Sequence, residues 1–80
     1  MNRKIKQKLQ DLRDESNARI LALLNDGTDD LKVWGHLAAA EELLAGSLPE
    51  DLIYGTNQIT PPGDYKTGFL EICNLFKGLI

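Results

Sequence analysis

The sequence predicts an all-α fold, a small four-helix domain of long helix, helix, short helix and helix, antiparallel and bundle-like. Three observations carry that reading. Apolar residues recur at steps of three and four along separate stretches, the period of a single helix face. Glycines, prolines and capping residues punctuate the chain between those stretches. The apolar fraction is 42%, enough for a folded core and too much for wholesale disorder.

Eighty residues make one domain, residues 1–80, with no room for a second. A chain of this size buries only roughly 60–65% of its unfolded surface, so marginal stability is expected. With one cysteine, Cys73, no intrachain disulfide forms and no thiolate cluster holds zinc. A lone thiol on an apolar stripe reads as a small buried hydrophobe, which fits a reducing, cytoplasmic setting. No apolar run approaches the roughly 20 residues that cross a bilayer. The charged start Met1-Asn2-Arg3-Lys4 leads into a polar helix rather than an apolar signal core.

The first helix is expected from about Arg3 to Asn25. Ile5, Leu9, Leu12, Ser16, Ile20 and Leu23 form its stripe, and Leu21 and Leu24 widen it, so the second half should be the more deeply buried. Asn25-Asp26-Gly27 stops it, because glycine accepts the left-handed conformation that closes a helix. Such a helix is roughly 35 Å long, more than a compact domain of this size needs. Its basic start, residues 1–12, is therefore expected to project or fray.

Thr28-Asp29-Asp30 supplies capping oxygens for a second helix from about Asp30 to Ala45, stopped by Gly46. Its expected core stripe is Val33, Leu37, Ala40 and Leu44, with Trp34 beside it. Gly35 and Ala39 make a small-residue groove that lets another helix approach closely, although Gly35 costs about 1 kcal/mol in helix propensity. Ser47-Leu48-Pro49-Glu50 reads as a capping box with proline in the first turn. It opens a short helix through Tyr54, stopped by Gly55, and residues 56–63 read as a loop. Asp64 is expected to cap the last helix, where Tyr65, Phe69, Ile72, Phe76 and Leu79 share a stripe with Cys73 and Ile80 alongside.

The net charge of −3 hides an uneven distribution. Residues 1–13 hold Arg3, Lys4, Lys6, Lys8 and Arg13 against Asp11 alone. From Asp26 to Asp51 the chain carries Asp26, Asp29, Asp30, Glu41, Glu42, Glu50 and Asp51 against a single base, Lys32. The molecule reads as an acidic body with a basic arm. Those acids fit two readings, a solvated face with helix caps or an acidic patch matched to a basic partner. Tyr54, at the end of a short helix among acids, fits either core filler or an interface anchor. The basic arm has no interleaved aromatics and the acidic body repels phosphate, so direct nucleic-acid binding is not expected.

Catalytic constellations are missing. The seven glycines are scattered as helix stops and spacers rather than clustered as a phosphate loop. Ser47 reads as a cap, and the single histidine, His36, reads as a partly exposed helix residue near Glu41 and Glu42. No enzyme, metal or cofactor is expected.

Glu41-Glu42, then Pro49-Glu50-Asp51-Leu52-Ile53-Tyr54, then Gly68 in the last helix, resemble the immunity proteins of colicin and pyocin nucleases. That resemblance implies a small acidic four-helix protein with a very short third helix, whose acids and tyrosine grip a basic toxin domain and keep DNA from docking. It implies Glu41, Asp51 and Tyr54 as contact residues. The close identity is confined to residues 51–54. Gly55 and Thr56 stand where the family has a second tyrosine and a proline, Phe76-Lys77 stands in place of a tryptophan-arginine pair, and the long basic first helix has no counterpart. The acyl carrier proteins, another small acidic helical family, need a serine where this chain reads Gly35-His36-Leu37.

The expected function is that of a cytoplasmic inhibitor or adaptor docking on a basic protein, such as a nuclease, through Asp29, Asp30, Glu41, Glu42, Glu50, Asp51 and Tyr54. A phage- or plasmid-encoded antagonist of a nucleic-acid-directed defence complex would use the same acidic logic. The alternative is a self-associating structural or regulatory protein, a homodimer paired through the stripe Ile5, Leu9 and Leu12 of the first helix. No membrane partner is expected.

Overall fold

A computed structural model describes residues 1–80. It is all-α, with α1 over Arg3–Asn25, α2 over Leu31–Leu44, α3 over Pro49–Ile59 and α4 over Asp64–Phe76. No helix is long and apolar enough to cross a membrane.

The centre of the molecule is a contact between the backbones of α2 and α4. A Cβ added at Gly35 would collide with the Tyr65 carbonyl oxygen and lie 2.6 Å from the Phe69 nitrogen. One added at Gly68 would collide with the Lys32 carbonyl oxygen and lie 2.9 Å from its carbon. Each helix thus uses a glycine to admit the other's main chain, which brings the flanking side chains into dense contact. Around this crossing α1 packs on α2, and α3 packs on α4. The Cα atoms fill a flattened envelope of 36 × 30 × 16 Å.

One apolar cluster joins three of the helices: Leu9 from α1, Ala39 and Leu43 from α2, and Phe69, Ile72, Cys73 and Phe76 from α4. Leu52 and Ile53 of α3 pack against its margin. Cys73 is fully buried, and burial pushes its thiol up to about 11, so it is an inert core side chain.

Helix endings follow their local chemistry. At the end of α1 the Thr28 N–H donates to Leu23 O and the Gly27 N–H to Leu24 O, with Gly27 at φ 77°. The same pair of bonds recurs after α2, from Ser47 to Glu42 and from Gly46 to Leu43, with Gly46 at φ 105°. Both are glycine-closed helix ends that satisfy otherwise orphaned carbonyls.

Several expectations are corrected. The start of α1 neither projects nor frays: Leu9 is fully buried and Ile5 and Leu12 pack against the core. Leu21 and Leu24, expected to deepen burial, are 60% and 49% exposed: Leu21 is turned off the line of Leu9, Ser16 and Ile20, and Leu24 lies beyond its buried end. The stripe proposed for self-pairing is therefore occupied within the monomer. On α2 the buried residues are Gly35, Ala39, Ala40 and Leu43, while Val33, Leu37 and Leu44 are only half-buried. Close approach at Gly35 turns the face carrying Gly35, Ala39 and Leu43 toward α4.

The third helix is longer than expected. Gly55 keeps helical backbone and α3 continues to Ile59, leaving only residues 60–63 as loop. Ser47 does not form a capping box: α3 is capped by Leu48 without a side-chain bond, and the Ser47 hydroxyl donates to Glu42 Oε2 at 3.2 Å. Asp64 lies inside the first turn of α4, whose cap is Gly63.

The crossing makes a paired prediction. Gly68→Ala should lose about 3 kcal/mol through forced separation of the helices, lowering the thermal midpoint by more than about 10 °C. Gly55→Ala, where nothing lies within 4 Å of the added carbon, should instead gain about 0.5–1 kcal/mol from helix propensity. Thermal unfolding followed by circular dichroism reads both. A Gly68→Ala protein as stable as the parent would mean that the helices do not meet there.

Candidate functional site

The principal concavity is an open groove of about 300 Å³ lined by Trp34, Leu37, Ala38, Glu41 and Glu42 of α2 and by Tyr65 of α4. The spacing explains the lining. Residues 34, 37, 38 and 41 follow one another at helical steps along a single face of α2. Tyr65 arrives beside them because its own carbonyl rests against Gly35, and its ring stacks on Phe69 at 6.4 Å between centroids. The groove is therefore a product of the helix crossing.

Asp29 reaches this groove indirectly. Its carboxylate accepts a 2.6 Å bond from the Trp34 indole N–H and another of 2.9 Å from the Asp30 backbone N–H. It fixes the tryptophan that forms the groove wall. Asp30 is the N-cap of α2, accepting from the Lys32 N–H at 3.0 Å. Glu41 and Glu42 are exposed on the groove rim. Glu50 and Asp51 sit in the first turn of α3, where negative charge complements the helix dipole. Tyr54, a turn later, is 71% exposed, which excludes the core-filler reading. Six of the seven expected residues thus fall into two groups, Asp29, Glu41 and Glu42 with the groove, and Glu50, Asp51 and Tyr54 on α3, which contributes nothing to the groove lining; the seventh, Asp30, serves as the cap of α2.

The acids from Asp26 to Asp51 form no direct ion pair. The ion pairs of the structure are Arg13–Asp14, Lys32–Glu71 and His36–Glu71. None involves an acid between Asp26 and Asp51, although Asp30 acts electrostatically on Lys32. No three His, Cys, Asp or Glu side chains converge closely enough to hold a metal ion.

Comparison with protein families, with curated proteins and with solved structures finds no match to this chain. The site rests on its own geometry.

Two features escaped the sequence reading. Tyr65, which shares the apolar stripe of α4 with Phe69, is 39% exposed and lines the groove. The partner of His36 is Glu71 of α4, not Glu41 or Glu42. Glu71 bridges two residues of α2: Lys32 Nζ lies 2.9 Å from one oxygen, and His36 Nε2 donates to the other at 3.0 Å. A basic-x-x-x-basic spacing on one helix opposite a single acid on another is a signal, but it is legible only once the pairing of α2 with α4 is known.

The hydrogen bond from Lys32, followed by that from His36, holds the Glu71 carboxyl below its ordinary value of 4.5, and the same bond holds the Lys32 ammonium above its ordinary 10.5. A depressed carboxyl contributes stability that is complete above the unfolded value and disappears as pH falls through the folded one. Glu71→Gln should therefore lower the thermal midpoint near pH 6. The gap between parent and variant should close on acidification below pH 4.5. A gap that stays constant across that range would show that the carboxylate charge is not what joins the helices.

Proposed function

We propose that this protein is a small acidic binding protein that docks on a basic protein partner and occludes the surface that partner uses for nucleic acid. The observation that carries the reading is the exposed Tyr54 beside Glu50 and Asp51, on a helix whose acids form no ion pair in the structure. A tyrosine exposed to this degree in a charged setting brings apolar area and a hydroxyl to an interface with little rotamer freedom to lose. Unpaired carboxylates around it speed encounter with a cationic surface and disfavour wrong partners.

A nuclease or other nucleic-acid-binding effector is the partner class that fits, because its phosphate-binding surface is cationic and broad. Toxin immunity and antagonism of a nucleic-acid-directed defence complex are two settings for the same chemistry. The resemblance of residues 51–54 to the nuclease immunity proteins supports the first. The protein itself needs no catalytic group for either.

Two substitutions test the reading against a basic nuclease domain captured from the source cell. Asp51→Lys and Tyr54→Ala should each weaken binding by about 30-fold, the size of an interface hot spot of about 2 kcal/mol. Because both side chains are exposed, the helical circular dichroism of the variants should match the parent. Binding equal to the parent in both variants would remove α3 as the docking face.

A further inference from the structure

The groove between α2 and α4 has features that a merely solvated acidic face does not need. It is concave, it has two aromatic side chains in its lining, and it carries two carboxylates with no cation beside them. One aromatic is held in place: the Trp34 indole is tied to Asp29 by the 2.6 Å bond. Glu42 gives one oxygen to the Ser47 hydroxyl at 3.2 Å, which leaves its other oxygen and both oxygens of Glu41 without a side-chain partner.

We propose that this groove is an arginine pocket, taking up a single guanidinium side chain that projects from the basic partner. The proposal rests on the reading that the partner is a basic protein and names how this second surface would recognise it. Charge complementarity selects a cation, since no basic side chain lines the groove. Size selects one side chain rather than a helix, because about 300 Å³ is the lower limit of ordinary ligand pockets. Shape and chemistry select arginine over lysine. A guanidinium is planar, stacks on aromatic faces, accepts loss of hydration more readily than an ammonium and pairs with carboxylates through two parallel bonds. Leu37 and Ala38 supply apolar surface for the methylene stem. Asp29 acts here as a positioning residue, because a pre-set tryptophan spares the ordering cost on binding.

Trp34 is the single tryptophan of the chain, so its signals report on the groove directly. The experiment titrates the protein with the peptide acetyl-Gly-Arg-Gly amide at millimolar concentration, following tryptophan emission and the indole N–H resonance. The counterpart peptides carry citrulline or lysine in place of arginine. The arginine peptide should produce a saturable change. Citrulline, isosteric but uncharged, should bind at least about 10-fold more weakly, and lysine several-fold more weakly. The double variant Glu41→Gln, Glu42→Gln, altered only at exposed positions, should lose about 10-fold for the arginine peptide. Equal binding of the citrulline peptide, equal binding of the lysine peptide, or an unaffected double variant would overturn the assignment. The outcomes are separable from those for α3. If Asp51→Lys and Tyr54→Ala abolish partner binding while the peptide titration is flat, the pocket fails and the acidic-partner reading survives. A specific arginine titration with no basic partner bound would have the opposite meaning.

Discussion

The structure depends on the mutual close approach of α2 and α4 at Gly35 and Gly68. Neither position has space for even a methyl group against the facing backbone, so the helices are fixed in one register along their shared length. That register sets everything around it. It stacks Phe69, Ile72 and Cys73 against Ala39 and Leu43 in the core. It brings Glu71 between Lys32 and His36. It also places Tyr65 opposite the Trp34 face of α2, and so creates the groove. A core of small residues at the crossing with larger ones around it is a way to reach close packing in a chain too short for several layers.

The charge pattern acquires meaning on this frame. Lys32, the one base within the acidic middle of the chain, is engaged by Glu71 on α4. Its direct ion pair goes to α4 rather than to the acids that precede and follow it, although the charge of Asp30 also acts on it. Asp30 and Asp29 serve α2 locally, one as its cap and the other as the acceptor of the indole N–H. Glu41, Glu42, Glu50 and Asp51 have no such structural occupation by a cation. Like charges left unpaired on a marginal domain cost stability rather than adding it. On the function proposed above, their use lies in what they attract.

Much of the fold was legible in the sequence, and the misses share a cause. The four helices, the stops at Gly27 and Gly46 and the closeness permitted by Gly35 follow from local chemistry: periodicity, left-handed glycines and missing side chains. Tertiary packing overrode that chemistry elsewhere. Gly55 is a poor helix residue by propensity, yet α3 runs through it, with Leu52, Ile53 and Thr56 turned inward. Ser47 has the spacing of a capping box, but α3 starts one residue later with Leu48 as its cap, and the Ser47 hydroxyl donates to Glu42 instead. On α2 Ala40 is buried as expected, but Val33 and Leu37 are only half-buried, because the close neighbour is met by the face of Gly35, Ala39 and Leu43. Of the site, the acids and Tyr54 were visible as residue types. Their division into a groove and a separate helix, and the part played by Trp34 and Tyr65, required knowledge of which helices meet.

The most direct test of this account is a nuclear Overhauser measurement on the protein in solution. The account predicts strong cross-peaks between the Hα protons of Gly68 and the backbone of Lys32, and between those of Gly35 and the backbones of Tyr65 and Phe69, all across α2 and α4. Absence of these contacts, or their replacement by contacts one helical turn away, would contradict it, since the register that builds the groove would then not exist.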